Sequence, residues 1–377
     1  MSATLAGALA EILSARLHAR PVNAALLPAR DDLAAWQDLV KLAHSERVSP
    51  LVYITLKDTD YCPVDILDLL RGIYYQTVRD NTRLFLALDQ ILADLKREGV
   101  NVILLKGAAM VDNYYHNLGL RPLTDIDLLI KSSDLDTAVG LLQKKGFIAA
   151  QNPYMNGDLD FHNELSLSLP GLRPPVELHW SLLRARFYKR VINNSVVWNT
   201  AIPIKGRKDE TLGLSLEAMI VYQSAHLILK HSGENLLWFY DIALLVMENK
   251  EKINWDLVVT YSRDWHLIYP IRLVFREITR LFAVPVPTVV MTQVDTFRPS
   301  IRERIEFSRI SAPPAFRYLA LLLEMRNLSN QVQYLHDALF PPASLMIERF
   351  QIKSRWLLPF YYLARLVLGL RKNSSFH

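Results

Sequence analysis

Apolar residues recur at helical spacing through the first hundred positions. Leu5, Leu9, Ile12 and Leu13 share one side of a helix over Ser2–Arg20. Leu33, Trp36, Leu39 and Leu42 form the stripe of a second helix over Asp31–His44, with Asp31 placed to cap its first amides. Ser49–Leu56 is short and apolar. Pro63–Glu98 reads as one or two long helices, with Pro63 at an opening position where a missing N–H costs little. Residues 1–99 therefore read as an all-helical region whose simplest role is to support the rest of the chain.

The pattern changes near residue 100. Val102–Leu105 is a continuous apolar run of strand length, stopped by Lys106-Gly107. Ala108–His116 has helical composition, and Asn117–Thr124 is broken by Gly119 and Pro122. Ile126–Ile130 is a second apolar run. Ser132-Ser133-Asp134 opens a short amphipathic helix over Leu135–Lys145 that ends at Gly146. Phe147–Ala150, His162–Leu169 and Val176–Trp180 read as further strands, the last two joined by a loop over Pro170–Pro175. From Ser215 onward helices return, over Ser215–Lys230, Leu236–Met247, Asn254–Asp264, Tyr269–Phe282 and Pro314–Leu328. The fold class is α+β: a small mixed β-sheet core over 100–205, between helical regions at 1–99 and 206–340, with a tail at 341–377.

Composition narrows the class. Hydrophobic residues at 51% and charged residues at 21% describe a folded globular chain. One cysteine, Cys62, excludes an internal disulfide framework and a cysteine-zinc cluster. The first twenty residues lack a basic segment ahead of an apolar stretch, and no apolar run reaches spanning length, so a cytoplasmic protein is expected. Net charge is +5, yet Arg349–His377 holds six basic residues and no acid, leaving 37 basic against 38 acidic residues elsewhere. A nucleic-acid footprint over the fold is not indicated. The tail, with WLLPFYYLARLVLGL between basic residues, is too short to span a membrane but suits peripheral contact through residues 349–372.

The candidate chemistry sits at the start of the second core strand. Asp125 and Asp127 are two apart, so on a strand they point to one face. Neighbouring carboxylates repel unless a positive partner neutralises them, and a divalent cation does this best. LLKG at 104–107, Tyr115 and RPLTDIDLLI at 121–130, with VELHW at 176–180 and HLILKHSGENLLWFYDIALL at 226–245, carry a resemblance. Together they resemble the uncharacterised bacterial nucleotidyltransferase family of the DNA-polymerase-β-like superfamily, over roughly residues 30 to 355. The resemblance implies an NTP donor, Mg²⁺ or Mn²⁺, and three metal-binding catalytic carboxylates, Asp125, Asp127 and Glu177. Glu177 is also the lone acid of an apolar strand. Where better-known members have a Gly-Ser or Gly-Gly pair at the phosphates, this chain has Lys106-Gly107, an ammonium in place of a hydroxyl. Arg121, four residues before Asp125, could clamp a phosphate or pair with the acids. His179 shares the face of Glu177 and could touch metal, phosphate or acceptor. His162 and Glu164 repeat that two-residue spacing on the preceding strand. Asp241 interrupts an apolar helix and needs a partner, for which His226 is a candidate.

The expected function is metal-dependent transfer of NMP from an NTP to an acceptor that the sequence does not name: a small molecule, sugar phosphate, peptide or protein hydroxyl. The alternative is a catalytically degenerate nucleotidyltransferase fold acting as a binding or scaffold protein, peripheral to a membrane. A haloacid-dehalogenase-type phosphatase fits poorly, because Leu128-Leu129 follows Asp127 where that pattern continues to threonine. A glycosyltransferase would need a nucleotide-binding α/β half ahead of its Asp-x-Asp, and residues 1–100 read as helical.

Overall fold

The computed structural model describes residues 4–150, 162–204, 207, 211–311, 331–332, 336, 340, 343–350, 352 and 354–371. The chain forms two compact units. The first holds residues up to Ala150 and from His162 to Ser300; the second holds 151–161 and everything from Ile301. The expected helix over Pro314–Leu328 lies outside the described residues.

Four helices precede the sheet: α1 (Leu5–Leu17), α2 (Leu33–Ser45), α3 (Ser49–Leu56) and α4 (Val64–Arg97). Leu9, Ile12 and Leu13 are buried, as the spacing predicts, and so are Trp36 and Leu39, while Leu33 is exposed at the first turn. Asp32, not Asp31, caps α2, with its Oδ1 accepting from the Ala35 amide at 3.0 Å. Pro63 stands at the cap position just ahead of α4, and the 34 residues of α4 form one helix. Its buried stripe includes Leu70, Leu84, Leu88, Ile91 and Leu95.

A single mixed sheet of seven strands comes next, in the order β3-β4-β5-β2-β1-β7-β6. The strands are β1 (Ile103–Leu104), β2 (Ile126–Leu129), β3 (Ile148–Ala149), β4 (Glu164–Leu169), β5 (Leu172–His179), β6 (Ile202–Pro203) and β7 (Leu212–Gly213). Central β2 runs antiparallel to β1 and parallel to β5, with Asp127 opposite Glu177 and Leu129 opposite His179. Strand β4 continues the rows, with Ser166 opposite Glu177 and Glu164 opposite His179. One face therefore carries Ile126, Leu128, Val176, Leu178, Leu165 and Leu167, all buried in the core. The other carries Asp127, Glu177, His179 and Glu164.

Two local expectations change. The loop over Pro170–Pro175 is shorter than its prolines suggest, since β5 already begins at Leu172. Proline is tolerated there because β2 pairs with β5 only from Val176 onward, so Pro174 and Pro175 have a neighbour strand on one side only. The helix expected over Ala108–His116 starts earlier, as α5 (Lys106–Met110), and widens to a π-turn over Val111–Tyr115 before His116 turns left-handed.

Helices α6 (Leu135–Lys144), α7 (Arg186–Val191) and α8 (Asn194–Asn199) fill the connections. The first unit closes with α9 (Leu216–His231), α10 (Leu236–Asn249), α11 (Trp255–Asp264), α12 (Ile268–Phe282) and α13 (Thr288–Thr296). Ser215 caps α9, its Oγ accepting from the Ala218 amide at 3.3 Å. In the second unit α14 (Ile301–Ser311), α15 (Ala343–Phe350) and α16 (Leu358–Arg371) are described, with the Phe350 and Tyr361 rings 5.7 Å apart. Trp356, Phe360 and Leu363 are exposed. No described helix is long and apolar enough to cross a membrane.

The turn leading into β2 is anchored from the far side of the chain. Arg121 donates to Asp241 on α10 from Nε (3.0 and 3.1 Å) and Nη2 (2.8 Å), and both side chains are buried. The Tyr115 hydroxyl donates to the same carboxylate at 2.7 Å. This corrects the expectation that His226 partners Asp241. Breaking such a pair from one side strands a buried charge, whereas replacing both partners does not. Asp241→Ala is expected to lose about 3–5 kcal/mol in urea denaturation. Arg121→Met with Asp241→Leu should recover most of that loss, and a single-variant loss below about 1 kcal/mol would contradict the anchoring role.

Candidate active site on the polar sheet face

The polar face of β2, β5 and β4 gathers carboxylates that need neutralising. Asp127 is buried, and its Oδ1 accepts from Lys106 Nζ at 2.5 Å and from His179 Nε2 at 2.8 Å. Burial favours the neutral acid, but Lys106 and the His179 hydrogen bond outweigh it and hold Asp127 well below the usual carboxylate range. Lys106 moves the opposite way: burial pulls its pKa down, and Asp127, Tyr222 and Asp125 together push it above the ordinary lysine value. His179 is also raised. Burial and Lys106 oppose its charge, while the Asp127 hydrogen bond and the Glu177 carboxylate favour it more strongly.

His179 links two rows of the face. Its Nε2 lies 3.6 Å from Glu177 Oε2, an electrostatic contact too long for a hydrogen bond. Its Nδ1 lies 3.5 Å from Glu164 Oε2. Glu164 in turn accepts from Lys230 Nζ at 3.0 and 3.2 Å. Burial raises Glu164, but His179 and Lys230 lower it further, so it is ionised at neutral pH.

Asp125 stands one residue before β2, at the rim. Burial, then Asp127, push its carboxyl up to about 6, with Glu177 adding to them against the pull of Lys106 and Arg121. Carboxylate or imidazole atoms of Asp127, Glu177 and His179 lie within 4.8 Å of one another, and Asp125 is outside that tight set. Of the expected trio Asp125, Asp127 and Glu177, only Asp127 and Glu177 belong to this set, and His179 is its third member.

The donor set fits a divalent cation on one further observation. Asp127 Oδ2 and Glu177 Oε2 are both buried and have no hydrogen-bond partner. Two orphaned carboxylate oxygens facing one region are costly, and a hard cation that takes oxygen ligands relieves both.

Lys106 carries a φ of +43°, in the left-handed region that a non-glycine residue occupies at a cost of about 1–3 kcal/mol. That conformation ends β1 and aims the ammonium back at Asp127. Gly107 is needed for a reason the sequence hides. A Cβ there would lie 2.3 Å from Arg121 Nη1 and 2.7 Å from Leu123 Cδ2. The Arg121 guanidinium bonds Asp241 through Nε and Nη2 and makes no ion pair with Asp125 or Asp127 among the described residues. It positions the turn that delivers them.

Helix α9 covers this face with a stripe one turn apart, Tyr222, His226 and Lys230. The Tyr222 hydroxyl and His226 Nε2 are buried without hydrogen-bond partners. Burial raises the Tyr222 pKa above its ordinary value, opposed by Lys106 and helped by Asp127 and Glu164. Burial, Lys106 and Lys230 keep His226 neutral. The His226 ring lies 4.8 Å from that of His231, which lies 3.9 Å from Trp238. Tyr222 and Lys230 carried no signal in the sequence beyond their four-residue spacing on an otherwise apolar helix. His162 precedes β4, with its carbonyl accepting from Lys189 Nζ, and it is not a member of the Asp127, Glu177 and His179 set.

A family model described as an uncharacterised nucleotidyltransferase matches residues 32–283, about two thirds of the chain, including the whole sheet and α9. No curated protein matches the chain.

A carboxyl whose folded pKa is raised contributes stability that is fully present below its unfolded pKa and is lost as pH rises through the folded value. For Asp125 that window runs from about pH 4 to just above pH 6. In chelator-treated protein, wild type should lose about 1–3 kcal/mol across it relative to Asp125→Asn in urea denaturation. Parallel curves for the two proteins would remove Asp125 from the electrostatics of the cluster.

Proposed function

The chain belongs to this family of uncharacterised nucleotidyltransferases, and from that premise we propose that it transfers NMP from an NTP to a hydroxyl acceptor in a metal-dependent reaction. The observation that carries the proposal is the register of β2 against β5, which sets Asp127 beside Glu177, each with one buried oxygen that has no hydrogen-bond partner.

Transfer joins the acceptor oxygen to the α-phosphorus and breaks the bond to the β-phosphate, releasing pyrophosphate. The triphosphate brings several negative charges to a face already carrying four carboxylates, so positive charge has to be supplied there. Asp127, Glu177 and Asp125 would hold Mg²⁺ or Mn²⁺, with His179 beside them. When bound, the cation neutralises the phosphates and lowers the pKa of the attacking hydroxyl.

Each nearby side chain then has a task of its own. Lys106 is a point charge on a flexible stem, suited to a phosphate oxygen once Asp127 has another partner. Gly107 keeps the backbone beside it unencumbered. His179 holds the Asp127 carboxylate in one orientation and offsets charge between Asp127 and Glu164. Lys230 balances Glu164, so that acid does not add to the repulsion. His226 and Tyr222 close the face from above as neutral polar groups and keep water from it.

Calorimetric titration of ATP, GTP, CTP and UTP, with and without Mg²⁺, tests the proposal in wild type and in Asp125→Asn/Asp127→Asn. One NTP is expected to bind only with the metal, and the double variant should bind it at least about 100-fold more weakly. Lys106→Met should weaken NTP binding about tenfold while leaving Mn²⁺ binding in place. Failure of folded wild type to bind any of the four with metal would overturn the transferase reading and favour a scaffold role for the fold.

A further inference from the structure

A cleft of about 1000 Å³ lies against the turn that precedes β2, and none of the site residues assigned above lines it. One wall is α4, with Arg79, Asp80, Asn81 and Arg83. The opposite wall is the β4–β5 hairpin, with Leu169, Pro170, Gly171, Pro174 and Pro175. Ile148 and Ser168 line it, and Leu123 and Thr124 complete it.

Its position relative to the site is fixed by bonds. Buried Asn81 donates to the carbonyls of Leu118 (2.6 Å) and Arg121 (2.8 Å), tying the α4 wall to the turn that ends in Asp125. Thr124 is the residue before Asp125, and its Oγ1 lies 3.4 Å from Asp125 Oδ1. Pro175 is two residues before Glu177 on β5. The cleft therefore meets the entrances of both carboxylate strands. Three prolines stiffen the hairpin wall, so the shape is set before anything binds.

Its chemistry is equally defined. Arg79 and Arg83 lie one helical turn apart and so project from the same side of α4. Arg79 pairs with Asp80 at 3.0 Å, while Arg83 makes no ion pair among the described residues. The lining thus holds two guanidinium groups against one carboxylate. Ile148 is 63% exposed, an unusual surface for a large aliphatic side chain on a strand, and with Leu169 and the prolines it gives an apolar wall. Among the described residues no aromatic ring lines the cleft, so it lacks the platform on which a nucleobase would stack. The volume is that of a small-molecule site.

We propose that this cleft is the acceptor subsite, and that the acceptor is a small hydroxylated anion. Its carboxylate or phosphate pairs with Arg83, supported by Arg79. Its apolar part lies against Ile148 and Leu169, and its hydroxyl reaches past Thr124 to the carboxylates. This assignment rests on the transferase reading; the cleft as an anion site does not.

The test separates the two. In metal-free buffer, binding of sn-glycerol 3-phosphate is measured by saturation-transfer NMR on the full chain, for wild type, Arg79→Gln/Arg83→Gln and Asp127→Asn. Both arginines are on the surface, so the double variant should fold, and an unchanged Tm verifies it. Binding of the probe is expected to weaken at least tenfold in the arginine variant and to be unchanged in Asp127→Asn. Metal-dependent NTP binding should behave in reverse, lost in Asp127→Asn and retained in the arginine variant. Wild-type affinity for the probe in the arginine variant, or no probe binding to wild type, would overturn the cleft as an anion site. Loss of NTP binding in the arginine variant would give the cleft to the donor and overturn the acceptor assignment. If wild type binds the probe but no NTP, the transferase reading and the acceptor assignment both fail, and the anion site remains.

Discussion

A buried carboxylate cannot stay ionised without partners, and Asp127 is buried at the centre of the sheet. Its two partners come from different elements: Lys106 from the end of β1 and His179 from the end of β5. Each contact has a further consequence. The Lys106 contact is made across a left-handed backbone, and that backbone turns the chain from β1 into α5. The His179 contact passes the charge balance on to Glu164 and from there to Lys230 on α9. A line of alternating charge therefore runs from the β1 turn across three strands to the covering helix. It accounts for why so many acids can share one face, and for why that face still presents two oxygens with nothing to accept.

The helices on either side take part in building this face. Helix α10 supplies Asp241, which fixes Arg121 and so the turn entering β2; helix α4 supplies Asn81, which bonds the carbonyls of the same turn. Asp125 is thus held at the rim by two helices more than a hundred residues apart in sequence. Gly107 belongs to the same arrangement, because the Arg121 side chain passes where its Cβ would be. The turn is positioned from three directions, so its geometry is set by packing and not by the turn residues alone.

Helix α9 buries polar groups close to the carboxylates. Its middle carries Tyr222 and His226, polar groups whose buried atoms have no bonding partners. A purely structural helix at that place would carry leucine or valine there, at no desolvation cost. Leaving two unsatisfied polar groups over a cluster of carboxylates makes sense where a polar ligand completes the set. The same logic applies to the cleft beyond Thr124, where an apolar wall and the Arg83 guanidinium face solvent.

Much of this was legible in the amino-acid order. Apolar runs four or five residues long between turn signals identified β1 and β2, and their two-residue period put Asp125 and Asp127 on one side and Glu177 with His179 on another strand. Helical stripes located α1, α2, α4 and α9 to α12 within a few residues. These features are local: they depend on 3.6- and 2-residue periods and on neighbours within a turn. What the sequence could not supply was partnership. Nothing in the spacing says that Arg121 would bond Asp241 and not Asp125 or Asp127, that Asp241 would choose Tyr115 over His226, or that Lys230 would reach Glu164. Each of those pairs joins residues far apart in the chain, and its choice depends on which buried charges the packed elements bring within about 3 Å of each other. Local pattern decided the elements and the kind of chemistry their residues could do. The tertiary structure alone decided which charges are neutralised inside the protein and which oxygens are left for a ligand, because a buried charge is tolerated only where its partner has already been placed.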